Sequence, residues 1–242
     1  MNIDTETIEK MRVLFARGLP VGIGAVEGPM CVQACVRVAL GLPFGDARPD
    51  DCTIAAGWRY GIRLNDARWS SPEARARGMW PLAVAQMGSA GVVDEKAWTA
   101  YVVEQTIRQI VPEALEIAAK RMETRWPDHA AKMRAAAADC KRDGSQESAQ
   151  QARSAIYAAD AAYAAYAVYA DAAYAVYAAD AAYAAYAAYA ADAADAADAA
   201  DAAAYAADAA DRVLTLAVTI AVEAYRHGGS PGVVLLDAQP SL

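Results

Sequence analysis

The sequence predicts an all-α protein: a short-helix globular domain followed by a long Ala/Tyr/Asp-repeat helical region. Three observations carry this reading. No stretch sustains the period-two alternation of a half-buried strand. Apolar residues up to Gly144 recur at helical spacing, between Pro, Gly and cap residues. From Tyr157 to Asp211 every residue is Ala, Tyr, Asp or Val, and Ala is the strongest helix former. Pro and Gly vanish between Gly144 and Gly228. The expected organisation is therefore a globular helical domain at 1–144, an Ala-rich repeat region with a final amphipathic helix at 145–227, and a C-terminal tail at 228–242.

Each element has its local reason. The first helix is expected from Thr5 to Arg17, capped by Asp4 or Thr5 and stopped by Gly18. A Gly-rich loop, Leu19 to Gly28, follows. Pro29 suits a first helical position, and Cys31, Ala34, Cys35, Val38 and Ala39 then recur on one helical face until Gly41. Asp50 or Asp51 is the expected cap of a short helix carrying Ile54, Trp58 and Tyr60, interrupted by Gly57 and Gly61. Ser70 and Ser71 before Pro72 start a helix through Trp80 to Met87, with a kink expected near Pro81. Asp94 caps the next segment, which reaches Pro112; that proline either kinks it or opens a new helix through Glu123. Asp128 caps a helix ending before Gly144, and Val213 to Tyr225 is amphipathic, with Gly228 and Gly229 as its stop.

In the tract, Tyr and Asp mostly recur every third residue, as in Asp171, Tyr174, Tyr177, Asp180, Tyr183, Tyr186. A step of three falls short of a helical turn by about 60°, so the non-Ala stripe winds around the helix. Residues eleven apart, such as Asp160/Asp171 and Tyr166/Tyr177, return almost to one direction. An unbroken helix from Gln146 to Arg226 would extend roughly 120 Å, so it must fold back, project, or be shared between chains. The Tyr rings carry most of the buriable area and the small Ala side chains allow close helix approach. Self-association is the consequence, and Tyr166, Tyr174, Tyr177, Tyr183 and Tyr186 are its expected residues.

Composition narrows the classes further. The net charge of −8 belongs to the tract, because all 22 Lys and Arg lie outside it and leave the remainder near neutral. Net charge thus does not indicate a nucleic-acid partner. Met1 to Lys10 carries Asp4, Glu6 and Glu9 where a secretory signal would be basic and then apolar. Val213 to Val222 is too short to span a membrane. Cys31, Cys35, Cys52 and Cys140 read as reduced thiols of a cytoplasmic protein, and no cofactor is implied.

The pieces RLNDARWSSPEARARGM, LAVAQMGS and TIRQIVPEAL, with the tract and the closing SPGVVLLDAQ, resemble an uncharacterised group of alanine-rich proteins of tailed phages and bacteria. That resemblance implies a viral or bacterial origin and an intracellular setting, and no activity.

Two constellations carry chemistry. Arg59, Arg63, Arg68, Arg75 and Arg77 are interleaved with Trp58, Tyr60, Trp69 and Trp80. Guanidinium forks pair with phosphates and aromatic faces stack bases, so this segment is the candidate site for a nucleotide or other anion, with Trp58 and Trp69 as stacking surfaces. Against it stands the structural reading, in which the indoles are core and the arginines pair with acids. Cys31 is expected in the first turn of a helix, where amide dipoles lower a thiol pKa, and His129 is its candidate base. The competing reading of Cys31, a buried inert thiol, is the one the sequence favours. Cys31, Cys35 and Cys52 lack zinc-site spacing, and Gly22 to Gly28 lacks the Lys-Ser/Thr and preceding strand of a phosphate loop. The chain therefore reads as a non-enzymatic self-associating interaction or scaffold protein. An anionic-ligand binder is the alternative, with a host signal as one such ligand, and a Cys-dependent enzyme comes third.

Overall fold

The computed structural model describes residues 3–164, 210–239 and 242. The expected self-association tyrosines, Tyr166, Tyr174, Tyr177, Tyr183 and Tyr186, lie outside the described residues. Among those described the protein is helical, with one isolated bridge, Gly24 to Met30, and no strand. No described helix is long and apolar enough to cross a membrane. The chain divides into two compact units, Met1–Val102 with Leu214–Leu242, and Val103–Val213.

The first unit holds α1 (Thr5–Phe15), α2 (Val32–Ala39), α3 (Ala55–Asp66), α4 (Pro72–Ala85), most of α5 (Glu95–Gln105), most of α9 (Ala210–His227) and α10 (Pro231–Ala238). Asp4 caps α1 by accepting from the Thr7 N–H at 3.0 Å, satisfying an N–H that the first turn leaves without an intrahelical partner. Ser71 does the same for α4 through the Ala74 N–H at 3.0 Å, with Pro72 next in line. The Asp94 carboxylate receives the Lys96 and Ala97 N–H groups at the start of α5. At α3 the residue at the cap position is Ile54, with no side-chain bond, rather than Asp50 or Asp51.

Gly57 and Gly61 do not interrupt α3; both lie inside it because neighbours come too close for a side chain. A Cβ on Gly57 would stand 1.6 Å from the Tyr225 hydroxyl, and one on Gly61 2.7 Å from Gln33 Nε2. Around this contact the buried aromatics form a chain. Tyr60 meets Trp98 edge-on at 5.7 Å, Trp98 meets Tyr225 at 5.1 Å, and the Tyr60 hydroxyl donates to the Ala217 carbonyl at 2.9 Å. Phe15 and Trp80 make a second edge-on pair at 5.3 Å. Such pairs add roughly 0.5–1.5 kcal/mol beyond the area they bury.

The last fifteen residues, read from sequence as a tail, carry α10. Gly228 and Gly229 do end α9, but Ser230 then donates to the Ala85 carbonyl at 2.7 Å. Gly232 lies so close to α4 that a Cβ would be 2.1 Å from the Val84 carbonyl oxygen. Arg226 closes the α9–α10 turn with a two-toothed ion pair to Asp237 at 2.6 and 2.9 Å.

The second unit contains a π-helical turn (Thr106–Ile110), α6 (Val111–Met122), α7 (Pro127–Asp143) and α8 (Gln146–Ala164). Pro112 opens α6, one of the two outcomes the sequence left open, and the π turn directly precedes it. The widened turn suits a proline, which cannot supply the next backbone donor. Leu115, Ala119, Met133, Ala137, Cys140, Ala152 and Ile156 are fully buried. The expected break at Gly144 is a left-handed turn, φ 61°, between α7 and α8, and both helices belong to this unit. Arg108 crowns the end of α7, donating to the carbonyls of Lys141, Arg142 and Asp143 at 3.2, 2.7 and 2.8 Å.

Candidate functional site

The Arg/Trp segment spans α3, its following turn and α4. Trp58 and Trp69 are only 3% and 7% exposed, and their indole N–H groups donate to the carbonyls of Asp46 and Leu64 at 2.7 and 2.8 Å. Neither ring has a face open for a stacked base. Arg75, 5% exposed, donates to the Leu19 carbonyl at 2.7 Å and the Ala67 carbonyl at 3.3 Å. It ties the loop after α1 to the turn before α4, and so acts on the chain's own backbone. Arg59, Arg63, Arg68 and Arg77 are exposed.

A built polar cavity lies instead where the Gly-rich loop meets α2 and α3. It has a volume of about 40 Å³ and is lined by Gly22, Ile23, Cys31, Gln33, Asp46, Ile62, Asn65 and Asp66. The loop folds back on itself through Cys31 N–H to the Ile23 carbonyl and Ala25 N–H to the Pro29 carbonyl, both 3.0 Å. Gly24 must be glycine there: its φ is 79° and a Cβ would sit 2.2 Å from the Pro29 oxygen. Asp66 anchors the loop by accepting from Gly22 N–H at 2.9 Å and from the Asn65 amide at 3.0 Å. Asn65 also donates to the Pro20 carbonyl and accepts from Val32 N–H, so both ends of its amide are engaged.

Cys31 is the cap residue of α2, its Sγ accepting from Ala34 N–H at 3.4 Å. The helix end does not activate it. Burial pushes the thiol up; the N–H groups of Ala34 and Gln33 pull the other way, and the nearby Asp46 and Asp66 carboxylates add to the rise. The activated-thiol alternative is not met, because desolvation of a thiolate outweighs one helix terminus, and the buried thiol is the reading that the sequence favours. Burial also pushes the neighbouring Cys35 up, to about 12. Cys31 belongs to the first unit and His129 to the second. All four cysteines are free and buried, and the described residues hold no group of His, Cys, Asp and Glu fit to bind a metal ion.

Gln33 is the residue that sequence reading passed over. It is fully buried, and its Nε2 donates to the Trp58 carbonyl at 2.7 Å. That acceptor fixes the amide orientation, which leaves Oε1 buried without a partner. The available signal was one polar side chain among Val32, Ala34, Cys35 and Val36 on a short apolar helix. No protein-family model, curated protein or solved structure matches the chain.

Proposed function

We propose that the protein is a non-enzymatic interaction or scaffold protein of phage or bacterial origin that self-associates through its Ala/Tyr/Asp tract. The observation that carries this is the tract itself: ten tyrosines on a stretch that otherwise holds only Ala, Asp and two Val. Helix enters it from one end in α8, which runs to Ala164, and leaves it at the other in α9, which starts at Ala210. A helix of this composition would have few apolar groups besides Tyr rings and Ala methyls, and a second copy would offer both. Sedimentation velocity at micromolar to tens of micromolar protein, the range of ordinary assemblies, is the test. A defined oligomer is expected, and a strict monomer throughout overturns the reading.

A second reading, an anionic ligand held by guanidinium groups, rests on the exposure of Arg59, Arg63, Arg68 and Arg77. It keeps the charge of the segment without its stacking surfaces.

A further inference from the structure

We propose that the groove between α1 and α2 receives Tyr205, with Asp201 and Asp208 on either side of it, from a second copy of the chain. The proposal rests on the self-association reading and gives the tract its docking surface. The groove measures about 270 Å³ and is lined by Lys10, Val13, Leu14, Val38 and Ala39, so its floor is apolar and Lys10 brings its one charge. Val13 is 61% exposed and Val38 half-buried. An apolar strip therefore lies open along the seam of the two helices.

Charge frames the strip. Lys10, Val13, Leu14 and Arg17 follow one another at i, i+3, i+4 and i+7, the spacing of one helix face. The Arg17 N–H bonds the Leu14 carbonyl at 3.2 Å, which carries the turn past the end of α1, and the Arg17 charge acts on the thiol of Cys35 in α2. Arg17 thus stands on the α2 side of α1, where the groove lies. Lys10 and Arg17 are both exposed, and two turns of helix put them about 10.5 Å apart. Glu6 pairs with Lys10 at 2.8 Å and Glu9 with Arg12 at 3.4 Å. Exposed pairs of this kind contribute little, so Glu6 can yield Lys10 to a second carboxylate.

The tract, in a stretch outside the described residues, holds the matching order. Of its ten tyrosines, Tyr205 is the one with an acid within four residues on both sides, Asp201 four before it and Asp208 three after. On a helix, seven residues return to nearly one direction, so Asp201 and Asp208 would stand as far apart as Lys10 and Arg17, with the ring between them. An apolar centre between two cations then meets an aromatic centre between two anions. The tract carries no Lys or Arg, so nothing in it repels the two cations. The groove is open on its outer side, which leaves the tyrosine hydroxyl the water it needs.

Two charge reversals in the full chain test this by sedimentation velocity. Lys10→Glu with Arg17→Glu sets acids in the groove against the acids of the tract. Asp201→Lys with Asp208→Lys sets cations in the tract against those of the groove. Each double variant should raise the dissociation constant of the assembly about tenfold or more, since like charges brought face to face repel. An equimolar mixture of the two should regain the assembly, because every groove then meets a tract of opposite charge in the other variant; a contact within one chain gives no such rescue. Circular dichroism checks that both keep the unmodified helicity. Should either lose it, Val13→Asp, at an exposed apolar position, carries the test and should weaken assembly alike. A strict monomer of the unmodified protein overturns the tract reading and this proposal together. An unmodified oligomer whose affinity the folded variants leave unchanged, or which mixing fails to restore, overturns this proposal alone and leaves the tract reading standing.

Discussion

Replacing Gly57 by Ala should destabilise the first unit, although Ala is the better helix former by about 1 kcal/mol. The added methyl carbon would lie 1.6 Å from the Tyr225 hydroxyl oxygen, 2.8 Å from the ring carbon that bears it and 3.3 Å from Ile54 Cγ1. Ordinary contact requires roughly 3.5 Å, so the hydroxyl must withdraw by nearly 2 Å. It has little room, because Tyr225 is fully buried and its ring lies 5.1 Å from Trp98, itself 5.7 Å from Tyr60. Overpacking of this kind costs about 1–3 kcal/mol, and with the overlap this deep the upper figure applies, leaving a net loss of about 2 kcal/mol. Tyr225→Phe alone should be neutral or mildly stabilising, since the hydroxyl is buried without a hydrogen-bond partner. Ser89 lies near it, but the two hydroxyls do not meet hydrogen-bond geometry, and Ser89 donates to the Gln86 carbonyl at 2.7 Å. Combining Gly57→Ala with Tyr225→Phe removes the nearest atom and should recover at least half the loss, a coupling of about 1 kcal/mol or more. Urea titration followed by tryptophan emission reads mainly this unit, which holds Trp58, Trp69, Trp80 and Trp98, and a Trp126→Phe background removes the one tryptophan of the other unit. A Gly57→Ala protein with a raised midpoint, or no rescue by Phe, refutes the reasoning.

Further expectations concern charge, protonation and the tract. Arg59→Gln should leave the unfolding free energy from urea titration nearly unchanged, whereas Arg75→Gln should lower it by about 2–3 kcal/mol, because a buried guanidinium bonded to two carbonyls is lost; equal effects would contradict the division between surface and core arginines. A nucleotide and polyphosphate thermal-shift screen tests the anion reading, which requires stabilisation that salt and the Arg59, Arg63 and Arg68 to Gln triple variant both abolish. Stability should fall above about pH 9, where unfolded thiols ionise while native Cys140 and Cys35 stay protonated to about 11 and about 12; the burial-raised Tyr60 and Tyr225 act in the same direction, and a midpoint that rises between pH 9 and 11 would reverse the sign. Changing Tyr174, Tyr177, Tyr183 and Tyr186 to Ala should keep or raise helicity by circular dichroism yet reduce the sedimenting mass, and an unaltered mass would make these rings irrelevant to assembly.

Three caps were legible in the sequence, since Asp4, Ser71 and Asp94 each bond the N–H groups expected of them. Asp128, by contrast, lies inside α7, whose cap position is Trp126 without a side-chain bond, and Ile54 takes that place at α3. What periodicity could not convey was proximity. Gly57 and Gly61 looked like interruptions because a glycine that permits a turn and one that admits a neighbour's side chain are the same letter. The tail escaped for a related reason: the pairing of Ser230 and Gly232 with the end of α4 is a long-range fact invisible in so short an apolar stretch. At the site, the sequence singled out Cys31 but not Gln33, Asp46 or the role of Asp66. Their relation depends on three separate segments converging, and a thiol's titration depends on the resulting burial more than on its helix position.

The first unit is assembled from two stretches of chain with all of Val103–Val213 between them. During synthesis, at about 5–20 residues per second, roughly six to thirty-four seconds separate the emergence of Gly57 and Trp98 from that of Tyr225, and the niche beside Gly57 stays vacant throughout. A nascent chain at that stage exposes the aromatic surface that Tyr225 of α9 covers in the folded unit. A premature stop within the repeat would leave that surface without α9 and α10, so the first unit is complete only once residues on both sides of the repeat have been made.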